Sequence, residues 1–318
     1  MADCLICKRI EMIKNNENLY FVKELETGYV VLGDHQRFKG YTLFLCKEHV
    51  TELHHLDHDF KMKYLEEMSL VAEAVQKAFS AEKMNYELLG NGDTHLHWHL
   101  FPRNAGDTPE KGPVWWLPKD EIWNDKYIPT NEELAISKTL LCKEIDNVFR
   151  RIKMKDKYIK YLSKMIELNN IHNELWEGKT ITTPCLISEN ICKLLLKLND
   201  RKQGDKDHDA TDENGKKYEI KATSSSKGTT TYNPESKIDF FIWMYFNYND
   251  KKIELKIISK EKFDKWCQNS SSENQDEDEE ILIKMHKYNS ARQSISLGKI
   301  SDWDEKKNYS MTTLEELK

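Results

Sequence analysis

Three histidines at alternate positions, His95-Leu-His97-Trp-His99, form the densest concentration of possible chemistry in this chain of 318 residues. Successive side chains of a strand point to opposite faces, so a strand here lines up the three imidazoles and sends Leu96, Trp98 and Leu100 to the core. Such a row suits metal binding or phosphate chemistry. A neutral imidazole can attack phosphorus, while its neighbours fix its tautomer and protonate a leaving oxygen. A second concentration is Asp207-His-Asp209 followed by Glu219-Ile-Lys221. On a strand over 217–223, Glu219 and Lys221 share a face, opposite Tyr218, Ile220 and Ala222. A carboxylate beside a lysine, with a further carboxylate upstream, can hold Mg²⁺ and position a water against a phosphodiester. Third, Cys4-x2-Cys7 sets two thiolates at a spacing suited to tetrahedral zinc, a structural site of which needs two more ligands.

These groups need elements to position them. Strand-like alternation occurs around Tyr29–Leu32, Tyr41–Leu45 and Tyr86–Leu89, the last followed by a Gly90-Asn91-Gly92-Asp93 turn. Leu56, Phe60, Tyr64, Met68, Val71, Val75 and Phe79 recur at helical intervals, with Asp57 or Asp59 as cap. A further helix runs from Pro129-Thr130 to Phe149. From Arg150 the chain is Lys-rich and helical to about Trp176, which reads as a connector plus the first helix of a second domain. Ser188 reads as the N-cap of a helix burying Ile191, Leu194, Leu195 and Leu198. Ile238–Tyr248 and Lys251–Ser259 are β-rich and joined by Asn249-Asp250, a hairpin signal. Trp243, Tyr245 and Phe246 are assigned to β-core. Gln268–Glu280 is polar and acidic and reads as a mobile loop.

The length accommodates two domains, each with its own core. The charge of −6 conceals an asymmetry: residues 1–150 carry a net −7 and residues 151–318 a net +1. Six acids of the second half lie between Glu273 and Glu280, so the remainder is modestly basic, which permits nucleic-acid binding without requiring it. No stretch approaches the roughly twenty apolar residues of a membrane span, and no apolar signal core follows the first Met. Seven scattered cysteines are too sparse for a disulfide scaffold, so the expected location is the cytoplasm, with no membrane partner.

The first third resembles the histidine-triad (HIT) hydrolase and transferase family. The resemblance is carried by His95-Leu-His97-Trp-His99-Leu-Phe-Pro-Arg103, by Val31-Leu-Gly-Asp34 and by Gly40-Tyr-Thr-Leu-Phe-Leu-Cys-Lys-Glu-His49, within about residues 1–125. Pro113-Val-Trp115 resembles the branch that cleaves dinucleoside polyphosphates. The resemblance implies a nucleotidyl-histidine intermediate on His97, with His99 holding phosphate. It puts Asp34 at the ribose-binding position and Asn91 where a phosphate- or ribose-side polar residue is often found. In zinc-bearing members, a histidine like His49 and the first triad histidine, here His95, complete the site begun by Cys4 and Cys7. His95 is then structural, leaving His97 and His99 to face the nucleotide.

The second half resembles the PD-(D/E)xK nuclease superfamily, in particular its restriction-endonuclease-like domains. The matching text is Asp209-Ala-x4-Gly215-x3-Glu219-Ile-Lys221-Ala-Thr, preceded by the helix beginning Ser188-Glu189. The resemblance implies Asp209 and Glu219 as Mg²⁺ ligands, Lys221 as the catalytic lysine and Glu189 as an acidic contributor from the first core helix. Two departures are His208, in place of the family's proline, and Asp207, an alternative to Asp209 as ligand.

The expected fold is therefore α+β. A HIT-type antiparallel sheet with helices spans 1–150, and an α/β restriction-endonuclease-like domain with a mixed sheet spans 151–318, with its acidic loop at about 268–280. The expected function is a two-domain nucleic-acid enzyme in restriction or phage defence, binding a nucleotide or dinucleotide and DNA; a homodimer is permitted. The alternatives are an end-processing repair enzyme, or a HIT hydrolase with a non-catalytic DNA-binding module.

Overall fold

The alternating segments of the first third form one five-stranded antiparallel sheet. The computed structural model describes residues 4–177, 179–201, 204–205, 207–225, 229–233, 235–272, 293–296 and 303–317. By internal contacts the chain divides into two units, Met1–Ile152 and Lys153–Lys318.

In the first unit, strands β1 (Phe21–Glu24), β2 (Gly28–Leu32), β3 (Thr42–Cys46), β4 (Lys83–Glu87) and β5 (His97–Arg103) lie in the order β1-β2-β3-β5-β4. Helix α1 (Leu5–Lys14) covers one face: Ile6, Ile10 and Ile13, spaced four and three apart, pack on Tyr29, Val31 and Leu45. Helix α2 (His58–Ala78) covers the other, burying Tyr64, Val71 and Val75 against Val30, Phe44 and Leu100. Asp57 caps α2, its carboxylate accepting from the Asp59 N–H. A short helix α3 (Lys119–Ile122) closes a smaller cluster of Phe38, Tyr41, Phe101, Val114 and Leu117.

Helix α4 runs without interruption from Asn131 to Leu175, so the predicted helix and the predicted connector are one element. No proline or glycine interrupts that stretch to break it. Leu134, Leu141, Ile145 and Val148 serve the core of the first unit, and Leu162 and Ile166 that of the second.

In the second unit, α5 (Cys185–Leu196) starts after Pro184, which is preset for a helix start. Ser188 is thus inside the helix and does not cap it; its hydroxyl donates back to the Cys185 carbonyl at 2.9 Å. Strands β6 (Asn199–Asp200), β7 (Ala210–Thr211), β8 (Lys217–Thr223), β10 (Phe240–Asn247), β11 (Lys252–Ser259) and β13 (Glu305–Ser310) form a sheet ordered β13-β11-β10-β8-β7-β6. It is mixed, because β10 runs parallel to β8 and the other pairs are antiparallel. Strands β9 (Thr229–Tyr232) and β12 (Gln293–Ser296) pair separately. The predicted hairpin joins β10 to β11, with Asn247 pairing Lys252 in register.

Ile220, Ile242, Met244 and Phe246 face a core with Ile191 and Cys192 of α5. Phe241, Trp243 and Ile258 face the opposite side, where α6 (Lys260–Ser272) supplies Phe263. Residues 268–272 of the predicted acidic loop therefore belong to α6, and 273–280 lie outside the described residues. Among the described residues, no helix is long and apolar enough to cross a membrane.

Candidate active sites

β5 begins at His97, two residues later than a strand carrying all three histidines requires. The Leu96 N–H donates to the Val50 carbonyl, and the Cys46 N–H to the Leu96 carbonyl, so the chain leaves the regular ladder there. His95 consequently turns away from the pair formed by His97 and His99. Its ring is 1% exposed, and its Nε2 meets the Cys46 carbonyl oxygen at 2.9 Å. A carbonyl can only accept, so the proton is on Nε2 and the lone pair is on Nδ1. That Nδ1 lies 3.6 Å from Cys4 Sγ, 3.3 Å from Cys7 Sγ and 3.2 Å from His49 Nδ1.

Cys7 Sγ is 3.2 Å from His49 Nδ1, and all four ligand atoms lie within 4.8 Å of one another. Tetrahedral zinc, with bonds of about 2.3 Å to sulfur and 2.0–2.1 Å to nitrogen, separates its ligands by about 3.3–3.8 Å. The donor set and its spacing fit such an ion. The Cys46 carbonyl supplies the outer contact that presets a metal-binding imidazole. Burial, then the neighbouring Cys4, raises the Cys7 thiol above its ordinary value, an effect that a bound cation opposes.

The tautomers of the other two histidines follow from the same logic. His97 Nδ1 is 2.6 Å from the His95 carbonyl oxygen, which fixes its proton there and leaves the Nε2 lone pair free. His97 Nε2 is 3.0 Å from His99 Nε2. With both rings neutral, two lone pairs would face each other unless His99 carries its proton on Nε2. His99 Nδ1 must then accept from the Tyr41 hydroxyl, 2.6 Å away. Burial, and secondarily His97, holds the His99 ring down to about 4, which keeps it neutral near pH 7. Tyr41 is itself held protonated: burial, then the Asp34 charge, raises its phenol far above the ordinary range. Tyr41, His99 and His97 thus form a directed chain of donors ending on the His97 Nε2 lone pair, which accepts from His99. Gly33 makes the chain possible, because a Cβ there would lie 2.1 Å from the Tyr41 ring.

Around this chain lie two further charged groups. Asp34 receives a bidentate contact from Arg9 of α1, one arm at 2.9 Å. Glu87 pairs in register with His99 and so shares its face. Its carboxylate accepts from the Trp115 indole, whose ring meets His99 edge-on at 6.2 Å. Asn91 is exposed in the turn between β4 and β5, and among the described residues no hydrogen bond ties it to the histidines.

In the second unit, Glu219 and Lys221 alternate onto one face of β8 and form an ion pair with each other. Asp209 lies just before β7, and its carboxylate accepts from the Ile220 N–H at 2.8 Å, which places it against the same stretch of β8. Glu189, in the second turn of α5, is raised by burial and then by the charge of Asp209, with Lys193, Lys221 and Arg201 opposing. Among the described residues, these carboxylates do not close into a cluster as tight as the Cys/His set. Asp207 is in the exposed approach to β7. His208 is 2% exposed, with Nδ1 3.4 Å from Asp205.

Residues 15–106 match the family model of the HIT domain, and residues 150–280 match that of the Bsp6I restriction endonuclease. The chain carries a HIT domain followed by a restriction-endonuclease-like domain. Solved structures similar to the HIT domain include a histidine triad protein from Marinobacter aquaeolei VT8, at 25% identity, covering 40% of this chain and 89% of that protein with a TM-score of 0.35. SMU.412c from Streptococcus mutans UA159 is 30% identical, covering 37% of this chain and 77% of its own, with a TM-score of 0.31. A zinc-bound histidine triad family protein from Mycobacterium smegmatis is 18% identical, covering 47% and 97%, with a TM-score of 0.35. No curated protein matches the chain. The two domains support a two-domain nucleic-acid enzyme with hydrolase activity, and imply nucleotide and DNA binding.

Three contributors to the HIT domain escape a reading of the sequence: Tyr41, Arg9 and Glu87. Each is separated from its partner along the chain, Tyr41 by 58 positions from His99 and Arg9 by 25 from Asp34. For Glu87, the strand register is the signal, and it becomes readable only once β4 is placed on β5.

Proposed function

We propose that the HIT domain cleaves nucleotides through His97 and that the second domain is a Mg²⁺-dependent endonuclease acting on DNA, the two serving restriction or phage defence. The observation that carries the proposal is the fixed tautomer of His97: its Nδ1 proton is committed to the His95 carbonyl, so Nε2 presents a lone pair. That nitrogen attacks the α-phosphorus, a nitrogen–phosphorus bond forms, and the bond from phosphorus to the leaving oxygen breaks. Water then cleaves the nitrogen–phosphorus bond and restores His97. When a nucleotide is seated, the His99 Nε2–H leaves His97 Nε2 for a phosphoryl oxygen and so uncovers the attacking lone pair, while the Tyr41 hydroxyl keeps that proton on Nε2. Asp34 binds the ribose, and Asn91 contributes from the turn when a nucleotide is seated. Cys4, Cys7, His49 and His95 hold a structural zinc that fixes the start of α1 and the entry to β5.

In the nuclease domain, Asp209 and Glu219 offer the hard oxygen donors that Mg²⁺ prefers, and Glu189 adds a third carboxylate. The like-charge effect of Asp209 on Glu189 is what a divalent cation relieves. Bound there, Mg²⁺ supplies Lewis-acid polarisation of a phosphodiester. Lys221 is held beside the site by Glu219 and stabilises the developing negative charge.

Supercoiled plasmid incubated with the full chain and Mg²⁺ tests the nuclease. Cleavage is expected to fall by about 10²–10³-fold in Lys221→Ala and in Glu219→Ala. Mg²⁺-dependent cleavage that survives both substitutions would remove the assignment.

A further inference from the structure

The Tyr41 hydroxyl reaches His99 from the end of the connection between β2 and β3, residues 33–41, which the Leu32–Thr42 pair closes at its base. Within that connection the backbone groups have no strand ladder to satisfy them and need other partners. Gln36, a half-buried side chain near its middle, supplies three of those partners from one amide. Its Nε2 donates to the Gly33 carbonyl at 2.8 Å and to the Tyr41 carbonyl at 3.0 Å, and its Oε1 accepts from the Gly40 N–H at 2.8 Å. Two carbonyls on one side and an N–H on the other leave the amide a single satisfactory orientation. The Gly33 N–H also donates to the Tyr41 carbonyl, and the Gln36 N–H to the Tyr127 carbonyl, each at 2.8 Å.

The clamp fixes the distance between Gly33 and Tyr41. The Tyr41 ring lies where a side chain on Gly33 would otherwise be, and it stacks on Phe101 with the centroids 4.1 Å apart. A slip of the backbone at residue 33 or 41 therefore moves a hydroxyl that has its acceptor 2.6 Å away, and hydrogen bonds weaken steeply with misalignment.

We propose that Gln36 is a positioning residue of the HIT site: by tying Gly33, Gly40 and Tyr41 together, it aims the Tyr41 hydroxyl at His99 Nδ1 and so selects the His99 tautomer with its proton on Nε2. The proposal rests on the reading of His99 as the phosphate-side donor. Among the described residues no hydrogen bond joins Gln36 to a histidine, so it acts through Tyr41. The role requires an amide. A carboxylate of the same shape only accepts, and it would face two carbonyls; a thioether of the same length has no donor. Gln36 also borders an open cavity of about 360 Å³ with Phe79, Ile136 and Leu140, so a change at its tip does not crowd a packed core.

Nitrogen NMR of the histidine rings in the full chain reads the tautomer, with turnover of diadenosine tetraphosphate measured alongside. The wild type should show His99 in the Nε2–H form alone. Gln36→Glu and Gln36→Met should make the Nδ1–H form visible beside it and lower turnover about fivefold, the scale of one net hydrogen bond. Tyr41→Phe should shift the same tautomer, and adding Gln36→Met to it should change neither tautomer nor rate further, because both act on one bond. A lower melting temperature of the Gln36 variants with the His99 tautomer unmoved overturns the proposal. So does a double variant whose rate falls by the product of the two single losses. In the wild type, where no variant has to fold, both side-chain amide protons of Gln36 should exchange slowly with solvent; exchange as fast as that of an exposed glutamine also overturns it. A shifted tautomer with undiminished turnover would uphold the clamp and remove His99 from the cleavage reaction, so the two readings fail separately.

Discussion

On the proposed function, the HIT histidines and the acids of the restriction-endonuclease-like domain solve the same problem, presenting a nucleophile and charge stabilisation to a phosphate, in opposite electrostatic ways. The histidine chain is a relay of hydrogen bonds: phenol donates to imidazole, imidazole to imidazole, and imidazole to a backbone carbonyl. Donors and acceptors satisfy one another, so the chain is assembled before a substrate arrives, and burial strengthens it by keeping the His99 ring and the Tyr41 phenol uncharged. The second site is built from carboxylates. These repel unless cations or donors lie among them, and each finds such a partner. Glu219 takes Lys221 as its partner, Asp209 turns to a backbone N–H, and Glu189 is pushed towards its protonated form by burial and then by the charge of Asp209. A site made of neutral hydrogen-bonding groups can be finished by folding, whereas a site made of like charges is finished by its ion.

The contrast is broken most forcefully at the hydroxyl that ends the histidine chain. Tyr41→Phe keeps the ring that packs on Phe101 but removes the donor to His99. Nucleotide turnover should drop by about tenfold, the loss of one well-placed hydrogen bond in a shielded site, with plasmid cleavage unchanged. An undiminished rate would show that the His99 tautomer is not set by Tyr41. A change of the opposite sign is expected in the other domain. Glu189→Gln removes a repelled charge, so the metal-free chain should melt at a higher temperature while Mg²⁺ binds more weakly. A lower melting temperature together with unchanged Mg²⁺ affinity would contradict the account of that cluster.

A further effect concerns pH. His99 titrates at about 4 when folded against 6.5 when free, because burial disfavours its charge. The unfolded chain therefore takes up this proton first on acidification. The stability associated with the neutral ring is intact above pH 6.5 and is lost between about 6.5 and 4. NMR titration of the ring should give a midpoint near 4, and a midpoint near 6.5 would mean that the ring is solvated.

The reason some of this was legible in the sequence and some was not is physical. Alternation alone puts His97 and His99 on one face and Glu219 and Lys221 on another, since that depends only on the period of a strand. The helix over α2 and the β10–β11 hairpin were readable for the same reason, as local periodicity and turn chemistry. The start of β5 was not, because the His95 ring bonds to the Cys46 carbonyl and the Leu96 N–H to that of Val50, residues far away in sequence. Ser188 looks like a cap by residue type, yet Pro184 upstream starts the helix and leaves Ser188 to bond backwards. Arg9 and Tyr41 acquire their roles only through tertiary contacts, and neither residue type is distinctive at its position.

The central claim, that His97 is a preset nucleophile, is tested most directly by mass spectrometry of the full chain quenched during turnover of an AMP-containing substrate. One nucleotidyl group should be found on the peptide bearing His97, and both adduct and turnover should vanish in His97→Ala. Turnover that persists in His97→Ala, or an adduct on another residue, would contradict it.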